Sequence, residues 1–445
     1  MKHSPLWQLP VVLALLLLAS CNAEMPVTNG LEVTPRTTHH RALPPQQVPQ
    51  RLGSLWASLP HTSATRAGED PTPDSLFTVP SGDFVGTYEP GTDTWMQNPD
   101  IDQIDTLSTY AYVVTFKEQP GFVILSAVEG IPDVLFYTEE STYNGAITDT
   151  PTTPKSGFHS FMDLMTAWVW YKLSVGPEDD GGPIDPPYRD SGWKSEHALI
   201  GGTGVPVMWG QGHPYNILCY DKKGRRALTG CVATAVAQAM AYYKYPASYN
   251  GHTFHWNEML GVYSWCSDDN EYAYSQTGSE QGWNDVAFLM RSLGYAGNLN
   301  MNYGVDGSSA NCKYIYQTFH NFGYAGGGTQ NSFNYEKMMN EIDEGRPIIM
   351  EGYDRSDMGH AWVIDGYVTH FKVRTYKNGK TERVDRTDLV HCNWGWCGYN
   401  NGYAVANVFD PYENFSVPPE WMVTRSQSAT AYCRKTKMYI NITPN

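Results

Sequence analysis

Two periodicities divide this chain. Short β-branched and aromatic runs occupy 109–116 (Thr-Tyr-Ala-Tyr-Val-Val-Thr-Phe), 122–128 and 134–138, the first two separated by Gln119-Pro-Gly121. They predict an antiparallel sheet of three or more strands. Apolar residues then recur at helical spacing across 158–171. An alanine-rich run opens at Cys231 after Gly230 and closes at Tyr242-Tyr-Lys-Tyr-Pro246, because proline cannot continue a helix. Further helices are predicted over 283–294, 310–320 and 335–344. Beyond Gly345-Arg-Pro347 the pattern turns to strands, at 348–352, 361–367, 371–376, 381–384, 389–393, 402–408 and 437–442. Asn378-Gly379 is a hairpin signal between two of them. Helices first and strands after predict an α+β fold, a helical half facing an antiparallel sheet half.

The polar stretches between these runs set the organisation. Residues 1–21 read as an export signal, with an apolar core too short to span a bilayer comfortably. Its end, Leu18-Ala-Ser-Cys21, resembles a bacterial lipobox, which makes Cys21 the lipidated residue and the product a cell-envelope lipoprotein; ordinary cleavage near Ala19 or Ala23 is the alternative. Residues 22–80, rich in Pro, Thr, Gln and Ser, read as a flexible tether. A small α+β domain is expected over 81–175. An acidic Gly/Pro linker over 176–192 follows, accessible to cleavage. A second domain runs over 193–445.

Composition narrows the function classes. The chain has 445 residues, a formal charge of −16 and 17% charged residues, without basic clusters. That balance disfavours nucleic acid and electrostatic docking on anionic lipid. The 8 cysteines and 13 histidines include no Cys-x-x-Cys spacing, so a zinc site is unsupported, and no cofactor is expected.

Candidate chemistry centres on Cys231. A cysteine in the first turn of a helix meets the positive end of the helix dipole and free backbone N–H groups, which favour the thiolate. Gly359-His-Ala-Trp-Val-Ile-Asp-Gly366 puts His360 at the start of a strand, where a base is held rigidly. His391-Cys-Asn-Trp-Gly-Trp-Cys-Gly398 ends a further strand, from which Asn393 can fix the imidazole tautomer and Trp394 can exclude water. Cys392 and Cys397 can pair as a disulfide, bind metal with His391, or stay reduced. Upstream, Gln211 between two glycines can present its amide to an oxyanion beside the Cys231 N–H. Singly, each of these has a plain structural reading as core, loop or turn.

Together they resemble a known family. Trp209-Gly-Gln-Gly-His-Pro-Tyr-Asn216, Thr229-Gly-Cys-Val-Ala-Thr-Ala-Val-Ala-Gln238, Gly359–Gly366 and Asn393-Trp-Gly-Trp396 are similar, in order, to the signature blocks of streptopain-like cysteine peptidases. Gly121-Phe-Val-Ile-Leu-Ser126 is similar to that family's inhibitory pro-domain. The resemblance implies a papain-like two-part catalytic domain made as a zymogen, with the pro-domain as intramolecular inhibitor and proteins or peptides as substrates. It implies Cys231 as nucleophile, His360 as general base and acid, Asn393 as orienter of the imidazole, Gln211 as oxyanion donor and Trp394 as shield. Gly359 and Ser309 match positions near the substrate backbone, although the Gly307-Ser-Ser-Ala310 segment aligns in more than one way. It also implies an apolar substrate residue one step N-terminal to the P1 position. Two departures stand out: Cys397 replaces a common glycine, and the Asn378-Gly379 hairpin lengthens the connection from His360 to Asn393. Two rival readings are a surface-anchored binding or inhibitory protein, and an acyl transferase on the same fold.

Overall fold

The computed structural model describes residues 188–267, 270–327, 329–353, 359–409 and 434–445. Upstream it describes 73–80, 87–88, 95–96, 109–116, 121–126, 131–139, 141 and the helical positions Phe161, Met165 and Trp168. All of them belong to the compact unit His40–Asn445. The signal segment with Cys21, most of the tether and most of the linker lie outside the described residues.

Among the described residues, twelve strands form one sheet. They are β1 (Pro73–Pro80), β2 (Thr109–Phe116), β3 (Phe122–Ser126), β4 (Val134–Thr138), β5 (Tyr188–Asp190) and β6 (Lys194–Leu199). After the helices come β7 (Thr329–Ser332), β8 (Ile348–Tyr353), β9 (Gly359–Tyr376), β10 (Thr381–Asn393), β11 (Gly402–Val405) and β12 (Arg434–Ile440). The order is β1-β2-β3-β4-β11-β10-β9-β8-β12-β7, with β6 and β5 also pairing with β9, and each of these pairings is antiparallel. The helices are α1 (Cys231–Tyr243), α2 (Glu280–Leu293), α3 (Ile315–Asn321) and α4 (Tyr335–Asp343). The expected α+β architecture is present, with α1 packed on β9 and β8 and α2 packed on α1.

β9 is the spine. It is buried from His360 through Phe371, so the polar Thr369 and His370, which break the apolar pattern into two predicted strands, sit inside a single ladder. β10 likewise joins two predicted strands. Its irregularity is a bulge, with Asp385 and Arg386 facing the single Phe371 and Asp385 at φ 53°. One edge of β9 pairs with β10. The other is shared by β8 over the first six residues, then β6, then β5. Asn334 and Ser279 cap α4 and α2 by accepting from the Lys337 and Gly282 N–H groups.

Two sequence expectations shift. Pro73–Pro80, inside the stretch read as tether, is strand β1 paired with β2; the run Leu76-Phe77-Thr78-Val79, between Pro73 and Pro80, is too short to announce a strand without its partner. Tyr188–Asp190, the end of the linker, is strand β5, fastened by a two-point Arg374–Asp190 ion pair at 2.9 and 3.1 Å.

The upstream strands continue the same sheet through β4 and β11, where Tyr137 faces Tyr403 and Phe136 faces Ala404. Gly402 permits the approach, since a Cβ there would lie 2.4 Å from the Tyr137 carbonyl oxygen. The Asn400 N–H donates to Ser141 Oγ at 2.8 Å. Phe161, Met165 and Trp168 are all buried, as helical i, i+4, i+7 spacing requires. The Phe161 ring lies 5.6 Å from Phe136 and 6.2 Å from both Trp394 and Phe409, bridging the upstream strands to the aromatic core of the sheet. Phe161→Ala, in a Cys231→Ala background, is expected to lower precursor stability by about 3–5 kcal/mol in urea unfolding. A loss below about 1 kcal/mol would show that the seam collapses around the cavity.

Candidate active site

Cys231 begins α1, and the backbone before it is set by glycine. Gly230 has φ 89°, and a Cβ there would press on Met301 Sδ at 2.9 Å and the Ser308 carbonyl oxygen at 3.2 Å. The helix has no side-chain cap and no acidic residue in its first turn, which leaves its positive end to the thiol. The N–H groups of Ala361, Val232 and Cys231 itself act on the Cys231 sulfur. Ala361 follows His360 on β9, so the Cys231 thiol and the His360 imidazole are brought together by the packing of α1 on that strand.

The Gln211 segment is tied to the same helix. Thr229 N–H donates to the Gln211 carbonyl oxygen at 3.0 Å, Thr234 Oγ1 lies 3.4 Å from the Gly210 carbonyl oxygen, and Trp209 N–H donates to Gln238 Oε1 at 2.9 Å. Gln211 is buried, and the residue that binds its carbonyl, Thr229, stands two positions before Cys231. On the sheet side, Asp365 Oδ2 accepts from the Val205 N–H at 2.7 Å and Asn393 Nδ2 donates to the Val207 carbonyl oxygen at 2.9 Å. Asp365 is itself paired with His391 at 2.5 Å. Residues 205–211 are therefore clamped from both halves.

The imidazole is held differently from expectation. His360 Nε2–H donates to the Trp394 carbonyl oxygen at 3.0 Å. Asn393, one residue earlier, gives its amide nitrogen to Val207, and its Oδ1 accepts from the Gly395 N–H at 3.3 Å. The acceptor that fixes the tautomer is thus a backbone carbonyl on the same turn, and it leaves Nδ1 as the basic nitrogen. Trp394 contributes more than that carbonyl. Its ring is buried against Trp362 at 5.5 Å, with Nε1–H donating to the Asn400 carbonyl oxygen at 2.8 Å. The imidazole instead stacks with Trp362 at 5.9 Å and Trp396 at 6.3 Å. Both tryptophans stand inside the quoted motifs, and alternation along Gly359-His-Ala-Trp362 was the available signal, since residues two apart share a face.

Burial dominates the electrostatics. It lowers the His360 pKa to about 4 against the opposing Trp394 hydrogen bond. It raises the Cys231 thiol despite the three N–H groups. Both shifts favour a neutral thiol–imidazole pair in the intact chain, where the helix-dipole argument alone predicts thiolate and imidazolium.

The remaining sequence candidates fall around this centre. Gly359 is exposed opposite Tyr353, and Ser309 is exposed in a two-way backbone bridge to Asn302. Cys397, at φ 53°, packs on the Gln211 segment so closely that a Cβ at Gly210 would lie 2.4 Å from its sulfur. Cys392 and Cys397 are not joined in a disulfide, and the Cys397 sulfur lies 3.3 Å from Ser264 Oγ.

A thiol at a helix start, an imidazole on the facing strand and a fixed glutamine segment form an arrangement suited to thiol-nucleophile chemistry. Residues 209–404 match the sequence profile of the Peptidase C10 family. It is 27% identical over 330 residues to the thiol protease/hemagglutinin PrtT of Porphyromonas gingivalis, covering 67% of this chain and 34% of that protein. The chain thus spans about a third of PrtT. It is 24% identical over 337 residues to streptopain of Streptococcus pyogenes, covering 65% of this chain and 72% of that one. A solved fragment of Prevotella intermedia prointerpain A aligns with TM-score 0.49 and 22% identity, over 75% of this chain and 96% of the fragment.

The neutral pair has a readout. Alkylation of Cys231 by iodoacetamide in the uncut chain is expected to stay slow at neutral pH and climb as pH rises past 9, because burial lifts the thiol. A rate plateau between about pH 5 and 7 would show an ion pair already formed in the intact chain.

Proposed function

We propose that this chain is an exported cysteine endopeptidase made as a zymogen, its pro-domain over 81–175 and its catalytic domain over 193–445. The observation that carries this reading is the placement of the Cys231 sulfur at the Ala361 N–H, beside His360. Cys231 is the nucleophile. His360 Nδ1 takes the thiol proton, and the thiolate attacks the scissile carbonyl carbon. The Cys231 N–H and the Gln211 side chain stabilise the tetrahedral oxyanion. His360 returns the proton to the leaving amine, and the carbonyl carbon is left as a thioester on Cys231. His360 then activates water to hydrolyse it. Throughout, the Trp394 carbonyl accepts from Nε2–H and stabilises the imidazolium, while Trp362 and Trp396 limit water around the ring. Asn393 acts by holding Val207, and with it the Gln211 segment. Gly359 and Ser309 flank the substrate backbone.

Latency follows from burial. A pair kept neutral by desolvation reacts slowly, and removal of the segments packed near Trp394 hydrates it, which moves both groups toward the ionised pair. Cleavage in the linker over 176–192 separates the two parts. Residues 1–21 direct export, with Cys21 as the lipid attachment point at the cell envelope, and proteins or peptides are the substrates.

Cys231→Ala is expected to accumulate at precursor size when processing is autocatalytic; normal maturation of this variant would assign the cut to another protease. In the processed enzyme Gln211→Ala is expected to lower kcat about 100- to 1,000-fold with the fold intact by circular dichroism. Unchanged kcat would remove Gln211 from the oxyanion site.

A further inference from the structure

One hydroxyl behind the lead-in to Cys231 has no part in the scheme above. It belongs to Ser308, half-buried in the connection between α2 and α3. The loop 303–308 is closed at its base by Asn302 and Ser309, which exchange backbone hydrogen bonds at 2.8 and 3.0 Å. It is drawn tight at Gly304, where a Cβ would lie 2.4 Å from the Gly307 carbonyl oxygen. The loop packs directly on the start of α1, because Met301 and the Ser308 carbonyl leave no room for a side chain at Gly230.

Ser308 Oγ donates to the Leu228 carbonyl oxygen at 2.6 Å and accepts from the Gly304 N–H at 3.0 Å. The Gly304 carbonyl oxygen, 3.4 Å away, competes poorly for the single hydroxyl proton, and it accepts the Leu228 N–H at 3.2 Å. The Leu228 carbonyl and the Thr229 N–H belong to one planar peptide unit and point in opposite directions. The Thr229 N–H donates to the Gln211 carbonyl oxygen at 3.0 Å. One rigid plane therefore carries the Ser308 hydroxyl on one side and the Gln211 backbone on the other. Rotating that plane breaks both bonds, and each bond polarises the amide in favour of the other.

We propose that Ser308 is a positioning residue for the reaction, acting through the peptide plane between Leu228 and Thr229 to set Gln211. The other clamps on this segment hold Gly210, Trp209 and Val207, whereas the Thr229 N–H binds Gln211 itself. An oxyanion donor works only when it is fixed before charge develops, so a tether on its own backbone bears directly on rate. Ser308 needs no contact with substrate to do this. The structure also separates the two adjacent serines: Ser308 turns its hydroxyl to Leu228, while Ser309 joins Asn302 through its backbone. The inference rests on the peptidase reading and names the residue that steadies its oxyanion donor.

The test is a double-mutant cycle in the processed enzyme. Ser308→Ala is expected to lower kcat on a peptide substrate about tenfold, with KM within about threefold of the parent. Iodoacetamide alkylation of Cys231 is a displacement that forms no oxyanion, and its rate is expected to stay within about twofold. In a Gln211→Ala background, Ser308→Ala is expected to cost less than about twofold in kcat, because the donor it positions is gone. Ser308→Cys, which keeps the shape with a weaker donor, is expected to fall between parent and alanine variant, and replaces the latter if that one does not fold. An unchanged kcat overturns the proposal. The same fold-loss in both backgrounds also overturns it, since the role is then independent of Gln211. A parallel loss of alkylation does so too, because it marks general loosening of the site. Failure of the parent enzyme to cleave any peptide, together with failure of a thiol-directed peptide inhibitor to label Cys231, overturns the peptidase reading itself.

Discussion

The active centre depends on one contact, between the first turn of α1 and the first residues of β9. The Cys231 sulfur sits at the Ala361 N–H, and this places the helix start against the strand that carries His360. Neither element makes a catalytic site by itself. A helix N-terminus offers free N–H groups and a partial positive charge. A buried strand offers a rigid mount. Their junction brings a thiol and an imidazole together, and the clamps from Asp365, Asn393, Thr234 and Gln238 bring the Gln211 segment to the same place.

The surroundings of that junction control its charge. Trp362 and Trp396 flank the imidazole, and Trp394, Phe409 and Phe161 extend the same aromatic cluster toward the upstream strands. Desolvation by this cluster works against both the imidazolium and the thiolate. Under the proposed function, packing of upstream elements on the aromatic core is a physical route from domain contact to latency.

The Trp394 carbonyl orients the imidazole. Trp394 presents its backbone oxygen to His360 Nε2, and a backbone group held by the Asn401 and Asn400 contacts around it is at least as well fixed as a side-chain amide. Asn393 contributes to the site from another direction, by tying β10 to the segment that carries Gln211. Residues adjacent in sequence can exchange the roles that a motif assigns them, because a turn decides which polar atom points where.

Much of the fold was legible in the residues. Strands 109–116 and 134–138 coincide with β2 and β4, since β-branched and aromatic runs between turn residues have one economical use. The helix from Cys231 followed from alanine content and its glycine and proline bounds. Local chemistry also singled out Cys231, His360 and Gln211, because nucleophile, base and oxyanion donor are recognisable residue types in stiff or glycine-flanked settings. What tertiary structure alone decided is everything set by partners distant in sequence. Thr369 and His370 became the middle of β9 because strands on both sides satisfied their backbone; Pro73–Pro80 became a strand because β2 was there to pair with it. The charge state of Cys231 and His360 belongs to the same class. A sequence shows a helix dipole, but burial by residues over a hundred positions apart decides whether that dipole prevails, and here it does not.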